Sequence, residues 1–492
     1  MSNSNHKYLC IHGHFYQPPR QDPFTQLVPA ELGATPYQNF NEKITAECYL
    51  PNAEMGNFER INFNIGPTLA QWLDTSSPGL LKRIVDADRE SVREYGSGSA
   101  MAQAYNHTIL PLASARDKTT QILWGLRDFE RRFGRKAEGM WLAETAADLE
   151  TLAALRRAGV RYTVLAPWQS AEPVDTTEPY FVRLPDGDTI TVFFYNGPLS
   201  GMVSFDAEAT SDADRFAHRD LAPHLNAEKV ARGEDQLILI ATDGELYGHH
   251  KPWRDKFLWR LTREAAADAG YEVTTLDRYL RHHPPTREAW LKEPSSWSCH
   301  HGVLRWSDGC ACTPEDSSWK RPLRDAFDRL RLRLDAGFER EAATAFSDPW
   351  SARDAYLDVL SGVKTSQAFW QEQGRYRRRP LLRGTEKRLG RLLEAQYYGQ
   401  AIYTSCGWFF EDLDRIEPRN DIAFARRAIS LAWKGGGNGG DLQDAFLRDL
   451  ADARSSLTGK DGADLYRELP ATNEAPPLPA VPGRNASREP AA

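Results

Sequence analysis

Residues 237–242 read LILIAT, apolar without a break. Such a run is expected of a strand covered on both faces, as in a parallel sheet flanked by helices. Further stretches of strand character precede it at 8–11, 139–142, 161–165 and 189–194. Between them lie segments with apolar residues at helical spacing. One of these, 148–158, stops at Gly159, a natural C-terminal cap. Alternating strands and helices argue for a parallel sheet, either open or closed into a barrel.

The polar residues are placed just as systematically. The first strand is followed by His12, His14, Tyr16 and Gln17, and Leu142 by Glu144. Leu165 is followed by Trp168, and Phe194 by Tyr195 and Asn196. Thr242 is followed by Asp243, Glu245, Tyr247, His249 and His250. In parallel α/β folds the carboxyl ends of the strands build the active site. Two acids at one rim can act as nucleophile and general acid in glycosidic cleavage. The acid is then raised in pKa by burial and like charge. The competing reading makes each acid a cap of the following helix. Acids on two strands of the same sheet favour the chemical reading.

From about residue 290 the pattern turns helical, at 322–346, 351–360, 386–402, 421–433 and 441–456. The expected organisation is a disordered N-terminus (1–7), an α/β barrel (8–288), a mostly helical domain (289–470) and a Pro/Ala-rich disordered tail (471–492). KGGGNGG at 434–440 reads as a flexible loop. Net charge is -7, from 61 basic and 68 acidic residues, so no nucleic-acid partner is expected. The basic run 375–383 reads as a solvated helix edge. No apolar run reaches the roughly 18 residues of a membrane helix, and no signal pattern opens the chain. A cytoplasmic location without membrane contact is expected. Fourteen Trp, 18 Tyr and 21 Phe lean toward a carbohydrate partner, since aromatic rings stack on sugars.

Four ordered motifs carry a family resemblance. They are His12-Gly-His14-Phe-Tyr-Gln17-Pro18, Ala104-Tyr105-Asn106-His107-Thr-Ile-Leu-Pro111, Trp141-Leu142-Ala143-Glu144 and Thr242-Asp243-Gly244-Glu245-Leu246-Tyr247-Gly248. In content and order they resemble glycoside hydrolase family 57. Cys406-Gly407-Trp408-Phe409-Phe410 resembles a diverged form of that family's aromatic fifth motif. The resemblance implies an incomplete (β/α)7 TIM-like barrel followed by a helical domain. It also implies cleavage of α-glycosidic linkages with retention, as in α-amylases, 4-α-glucanotransferases and branching enzymes. Carried over, Glu144 is the nucleophile and Asp243 the general acid/base. His12, His14 and His107 line the sugar subsite, and Trp141, Tyr247 and Trp408 are stacking surfaces. The stretch 297–306, with His301 and Trp306, faces substrate. Gln17, Trp168, Tyr195 and Glu245 complete the expected substrate-binding set.

Rival readings remain. A metal-dependent carbohydrate deacetylase or mannosidase would use the histidines as ligands, but no Asp stands beside the first-strand histidine. A catalytically silent sugar-binding protein is the other rival. Cys299, Cys310 and Cys312 with His300 and His301 offer enough donors for a structural zinc. Their spacing is not the usual Cys-x-x-Cys, and ordinary buried thiols are the preferred reading. No metal and no cofactor are assigned. The expected partner is an α-linked oligosaccharide or polysaccharide.

Overall fold

Seven parallel strands form the centre of the N-terminal unit in the computed structural model, which describes residues 6–313, 316–373, 384–436 and 439–470. The expected tail, the basic run 375–383, residues 1–5 and part of the glycine-rich loop lie outside the described residues. The strands are β1 (Lys7–Phe15), β2 (Asn62–Ile65), β3 (Ala100–Gln103), β4 (Met140–Trp141), β5 (Tyr162–Leu165), β6 (Tyr180–Arg183), β7 (Thr189–Phe194), β8 (Gln236–Asp243), β9 (Tyr271–Val273) and β10 (Arg287–Glu288).

Hydrogen-bonded order runs β4-β3-β2-β1-β8 in one sheet, and β5 pairs with β7 in the other. Two thin seams join the sheets. A parallel bridge links Gly139 and Tyr162 beside β4 and β5. Beside β7 and β8, the Asn196 N–H donates to the Leu239 carbonyl at 2.7 Å. The ring is thus a (β/α)7 TIM-like barrel, as the family resemblance implied; the alternation of elements alone left an open sheet and a barrel both possible. β6 is antiparallel to β7, and β9 lies beside the start of β1.

Strand alternation sends every second side chain into the ring. Cys10, Met101, Trp141, Tyr162, Val164, Phe193, Leu237 and Leu239 fill it as one buried cluster. The expected strand at 8–11 is longer than its apolar run, so His12 and His14 lie within β1 itself. β2 (NFNI) and β3 (AMAQ) were not expected. Each has four residues, and their inward Asn and Gln disguise them as loop. Asp148 caps the helix Leu149–Arg157, accepting from the Thr151 N–H at 2.7 Å. That capping role, considered for Glu144, belongs to its neighbour.

The chain divides into two compact units, and the boundary corrects the expected one at 288/289. The first unit comprises residues up to Arg20 and Pro29–Cys312; the second comprises Gln21–Val28 and the residues from Thr313 onward. Residues 289–312 stay with the barrel because they bridge to its strand ends, at Ser170–Leu291 and Ala147–Ser295. Gln21–Val28 joins the helices because Gln26 Nε2 donates to the Tyr398 hydroxyl and Phe24 lies beneath Arg426 and Arg427.

The second unit is built from the helices Lys320–Ala342, Pro349–Leu360, Ser366–Gln373, Thr385–Ala401, Ile416–Lys434, Gly439–Leu450 and Gly462–Glu468. Among the described residues no helix is long and apolar enough to cross a membrane.

Candidate active site

Register stacks the polar residues in layers at the carboxyl end of the ring. His12 pairs with Asn62 on β2 and with Ala241 on β8, and His14 with Asn64 and Asp243. Two residues deeper, at Cys10 and Leu239, the same faces are apolar. The site therefore begins where the hydrophobic filling stops.

The histidine layer is a neutral hydrogen-bonded network. Asn62 Nδ2 donates to His12 Nδ1 at 2.7 Å, which makes His12 Nε2 the protonated nitrogen, facing Asn64 Oδ1 at 3.2 Å. Asn64 Nδ2 donates onward to Gln103 Oε1 at 2.8 Å. His14 and His107 share one N–H between their Nε2 atoms, 3.1 Å apart. Burial and the neighbouring imidazole hold His12 at about 3. Burial holds His14 at about 4 and His107 well below its usual range. These rings converge on asparagine and on each other, and none of these contacts includes a carboxylate. The rings also stack: His12 on Trp141 at 4.4 Å, and Tyr16 on His107 at 3.8 Å.

Glu144 follows β4 in a short turn and has φ +56, with Thr145 at φ +49. Both are left-handed conformations that non-glycine residues rarely adopt. Such strain persists where surrounding contacts over-determine it. Here the Trp297 N–H donates to the Glu144 carbonyl at 3.0 Å. Gln169 clamps Thr145 by accepting from its hydroxyl at 2.7 Å and donating to its carbonyl at 2.9 Å. The Glu144 carboxylate accepts from Trp297 Nε1 at 2.9 Å and from Ser298 Oγ at 2.7 Å, both at Oε2. Burial raises its pKa, and these two donors with the Arg305 charge oppose the rise.

Asp243 lies in the top layer of β8. Solvent reaches the residue. Burial of its carboxyl, and then the Glu144 charge, push it up to about 7. Burial thus raises both carboxyls, but Glu144 has donors that favour its anion, whereas Asp243 has an anionic neighbour that favours its acid.

The other expected site residues differ in exposure. Trp168 is 41 % exposed and meets the buried Tyr195 edge-on at 5.8 Å, so its face is available. His14, His107 and Gln17 are buried in the walls, Gln17 accepting from Arg20 Nη2. Glu245 is raised to about 8 by burial and accepts from the Tyr49 hydroxyl at 2.6 Å and the Tyr16 N–H at 3.0 Å, so it braces the β1 and β8 ends.

The remainder correct the expectation of direct sugar contact. His12, Trp141, Tyr247, Trp306 and Trp408, like the wall residue His107, are all at most 1 % exposed. A ring sealed in protein offers no face to a sugar. Trp141 supports the histidines, while Trp408 fills the helical unit, edge-on to Phe327 and donating to the Lys320 carbonyl. His301 lies beside Cys312 at 3.4 Å, in the thiol cluster.

Sequence reasoning did not find Asn62, Asn64, Gln103, Tyr49 or the donor roles of Trp297 and Ser298. The one available signal was the alternation Asn62-x-Asn64, which places two amides on one face of a strand.

The model for glycosyl hydrolase family 57 matches residues 4–292, and a domain of unknown function, DUF3536, matches 316–476. The chain is similar to an α-amylase of Pyrococcus abyssi, 21% identical over 257 residues. It is also similar to a 4-α-glucanotransferase of Thermococcus litoralis, 25% identical over 259 residues. Each match covers 49% of this chain and 36% of the relative, so the chain spans little more than a third of the length of these relatives. In structure it is similar to an exo-type maltose-forming amylase from Pyrococcus sp. ST04. That comparison has a TM-score of 0.70 and 15% identity and covers 90% of this chain and 83% of the other. The fold is thus shared, and because the family model spans more than half of the sequence, the chain belongs to glycosyl hydrolase family 57.

Proposed function

We propose that the protein is a retaining enzyme acting on α-glucan or related α-linked oligosaccharides by double displacement. The observation that supports this best is the pair at the strand ends, Glu144 with two donors on Oε2 and Asp243 raised to about 7 by burial and then by the Glu144 charge. An acid and a nucleophile are recognised by environments that push their pKa values apart.

In the first step Asp243, protonated, donates to the glycosidic oxygen as the C–O bond to the leaving group breaks. Glu144 Oε1, the oxygen away from Trp297 and Ser298, bonds to the anomeric carbon. The product is a glycosyl-enzyme with Asp243 ionised. In the second step Asp243 takes a proton from water or from a sugar hydroxyl, whose oxygen displaces Glu144. The carboxyls of a retaining pair stand about 5–5.5 Å apart. The acceptor decides hydrolysis against transfer. Trp168 would supply the sugar platform at the mouth, with Tyr195 behind it. The relatives' names, α-amylase and 4-α-glucanotransferase, support the α-glucan class.

The test is a product profile on maltooligosaccharides, glycogen and pullulan for wild type and Glu144→Gln. Shorter sugars alone indicate a hydrolase; longer and shorter ones together indicate a transferase. Either profile must vanish in Glu144→Gln. Turnover that survives this substitution, or sugar binding without turnover in wild type, overturns the proposal.

A further inference from the structure

Residues 295–312 contain no long element, yet they carry both side-chain donors to Glu144. Their backbone makes a tight return. Gly302 and Gly309 adopt left-handed φ of +77 and +81, and the Asp308 and Gly309 N–H groups both donate to the Leu304 carbonyl. The return brings residues 310–312 against 299–301. Arg305 Nη2, donating to the Cys312 carbonyl, holds it there.

Four donor atoms meet at this closure. Cys299 Sγ and Cys310 Sγ are 3.5 Å apart, Cys312 Sγ and His301 Nδ1 3.4 Å, and all four lie within 4.8 Å of one another. A zinc ion with bonds of about 2.3 Å to sulfur and about 2.0–2.1 Å to nitrogen holds tetrahedral ligand atoms about 3.5–3.8 Å apart. Three thiols and an imidazole are a soft set that suits zinc and offers nothing to calcium or magnesium, which take oxygen ligands.

We propose that Cys299, His301, Cys310 and Cys312 form a structural zinc site that anchors the strap carrying Trp297 and Ser298. Four protein ligands close the coordination sphere, which makes the site structural. Binding releases the three thiol protons to solvent and takes His301 as its neutral ring. Sequence spacing favoured ordinary thiols because Cys-x-His and Cys-x-Cys are not the usual pairs. The glycine turns bring them together. Cys299 is bonded in sequence to Ser298, so the ion fixes the backbone one residue from a donor to Glu144 Oε2. That positioning role rests on the proposed function; the metal site does not.

The test measures zinc in the full chain, purified with its thiols reduced, supplied with excess zinc and then dialysed. About one zinc per chain is expected. Cys312→Ser and His301→Ala should each lower retained zinc at least about tenfold, as loss of one ligand of four does. Cobalt added to stripped wild type should give the visible absorption of a tetrahedral thiolate complex, a readout that needs no foldable variant. Wild type without zinc, equal zinc in the Cys299→Ser, Cys310→Ser and Cys312→Ser variants, or a Cys299–Cys310 disulfide in fresh protein overturns the site. Zinc present with turnover and acid limb unchanged on stripping keeps the site and overturns its link to Glu144. Zinc present in a protein that turns over no sugar keeps the site while the proposed function fails.

Discussion

The carboxyls of Asp243 at the strand ends and Asp421 in the helical unit are both raised above the usual carboxylate range, chiefly by burial and then by one acidic neighbour, Glu144 or Glu417. They differ in what surrounds them. Asp421 is 2 % exposed, and a methyl group on Gly407 would lie 1.9 Å from its Oδ2, so nothing can reach that carboxyl. Asp243 opens to solvent beside a strained residue whose own carboxylate has two donors. A shifted pKa therefore does not mark a site by itself. Access and a complementary partner do.

The largest expected effect tests the catalytic half of this contrast. Asp243→Asn should reduce turnover by about 10²–10⁴-fold. In wild type the activity should fall as pH rises through about 7, where Asp243 loses its proton. A pH–rate profile of kcat/KM checks this, and an activity that keeps rising well past pH 8 would contradict the assignment.

Next come the donors. Ser298→Ala removes one hydrogen bond from Glu144 Oε2. Bonds to charged groups contribute about 1.5–3 kcal/mol, so a decrease of about ten- to a hundredfold is expected. Fewer donors favour the neutral acid, so the acid limb should move to higher pH. A loss of rate with an unmoved limb would make Ser298 merely structural.

Trp168→Ala should raise KM by about three- to tenfold and leave kcat nearly unchanged, since the ring is exposed and touches no reacting group. Steady-state kinetics on a maltooligosaccharide series would separate the two parameters.

The sealed carboxyl should behave otherwise. Gly407→Ala overpacks the Asp421 site and is expected to destabilise the helical unit by about 1–3 kcal/mol. Asp421→Asn should come closest to wild type in stability below pH about 3.9, where the acid is protonated in both states, and become the more stable protein as pH rises toward neutral, because the amide never ionises on unfolding. The sign follows from linkage. A carboxyl raised in the fold stabilises it fully below the unfolded pKa of about 3.9, and this contribution is lost as pH rises toward the folded value. Thermal melts across pH should show that decline in wild type and its absence in Asp421→Asn.

How much was legible in sequence varies with the range of the interaction. The strand at 189–194 and the helix after Asp148 appear almost residue for residue, because β-branching and capping act within a few residues. β2 and β3 escaped because an inward Asn satisfied by a histidine fifty residues away looks like a loop residue until its partner is known. The tryptophans show the same limit. Trp141 and Trp168 both follow strands, and only packing makes one a buried support and the other an open face.

By itself the sequence determined the alternation that makes the barrel and the end at which its polar residues gather, and it pointed to the two acids proposed for the chemistry, since these follow from local periodicity and motif order. Tertiary structure decided which residues are reachable, which carboxyl keeps its proton and that Trp297 and Ser298, more than 150 residues after Glu144, hydrogen-bond it. It also decided that four separated donors form one cluster. Those outcomes depend on solvent exclusion and on distances across the chain, and no window along a sequence contains either.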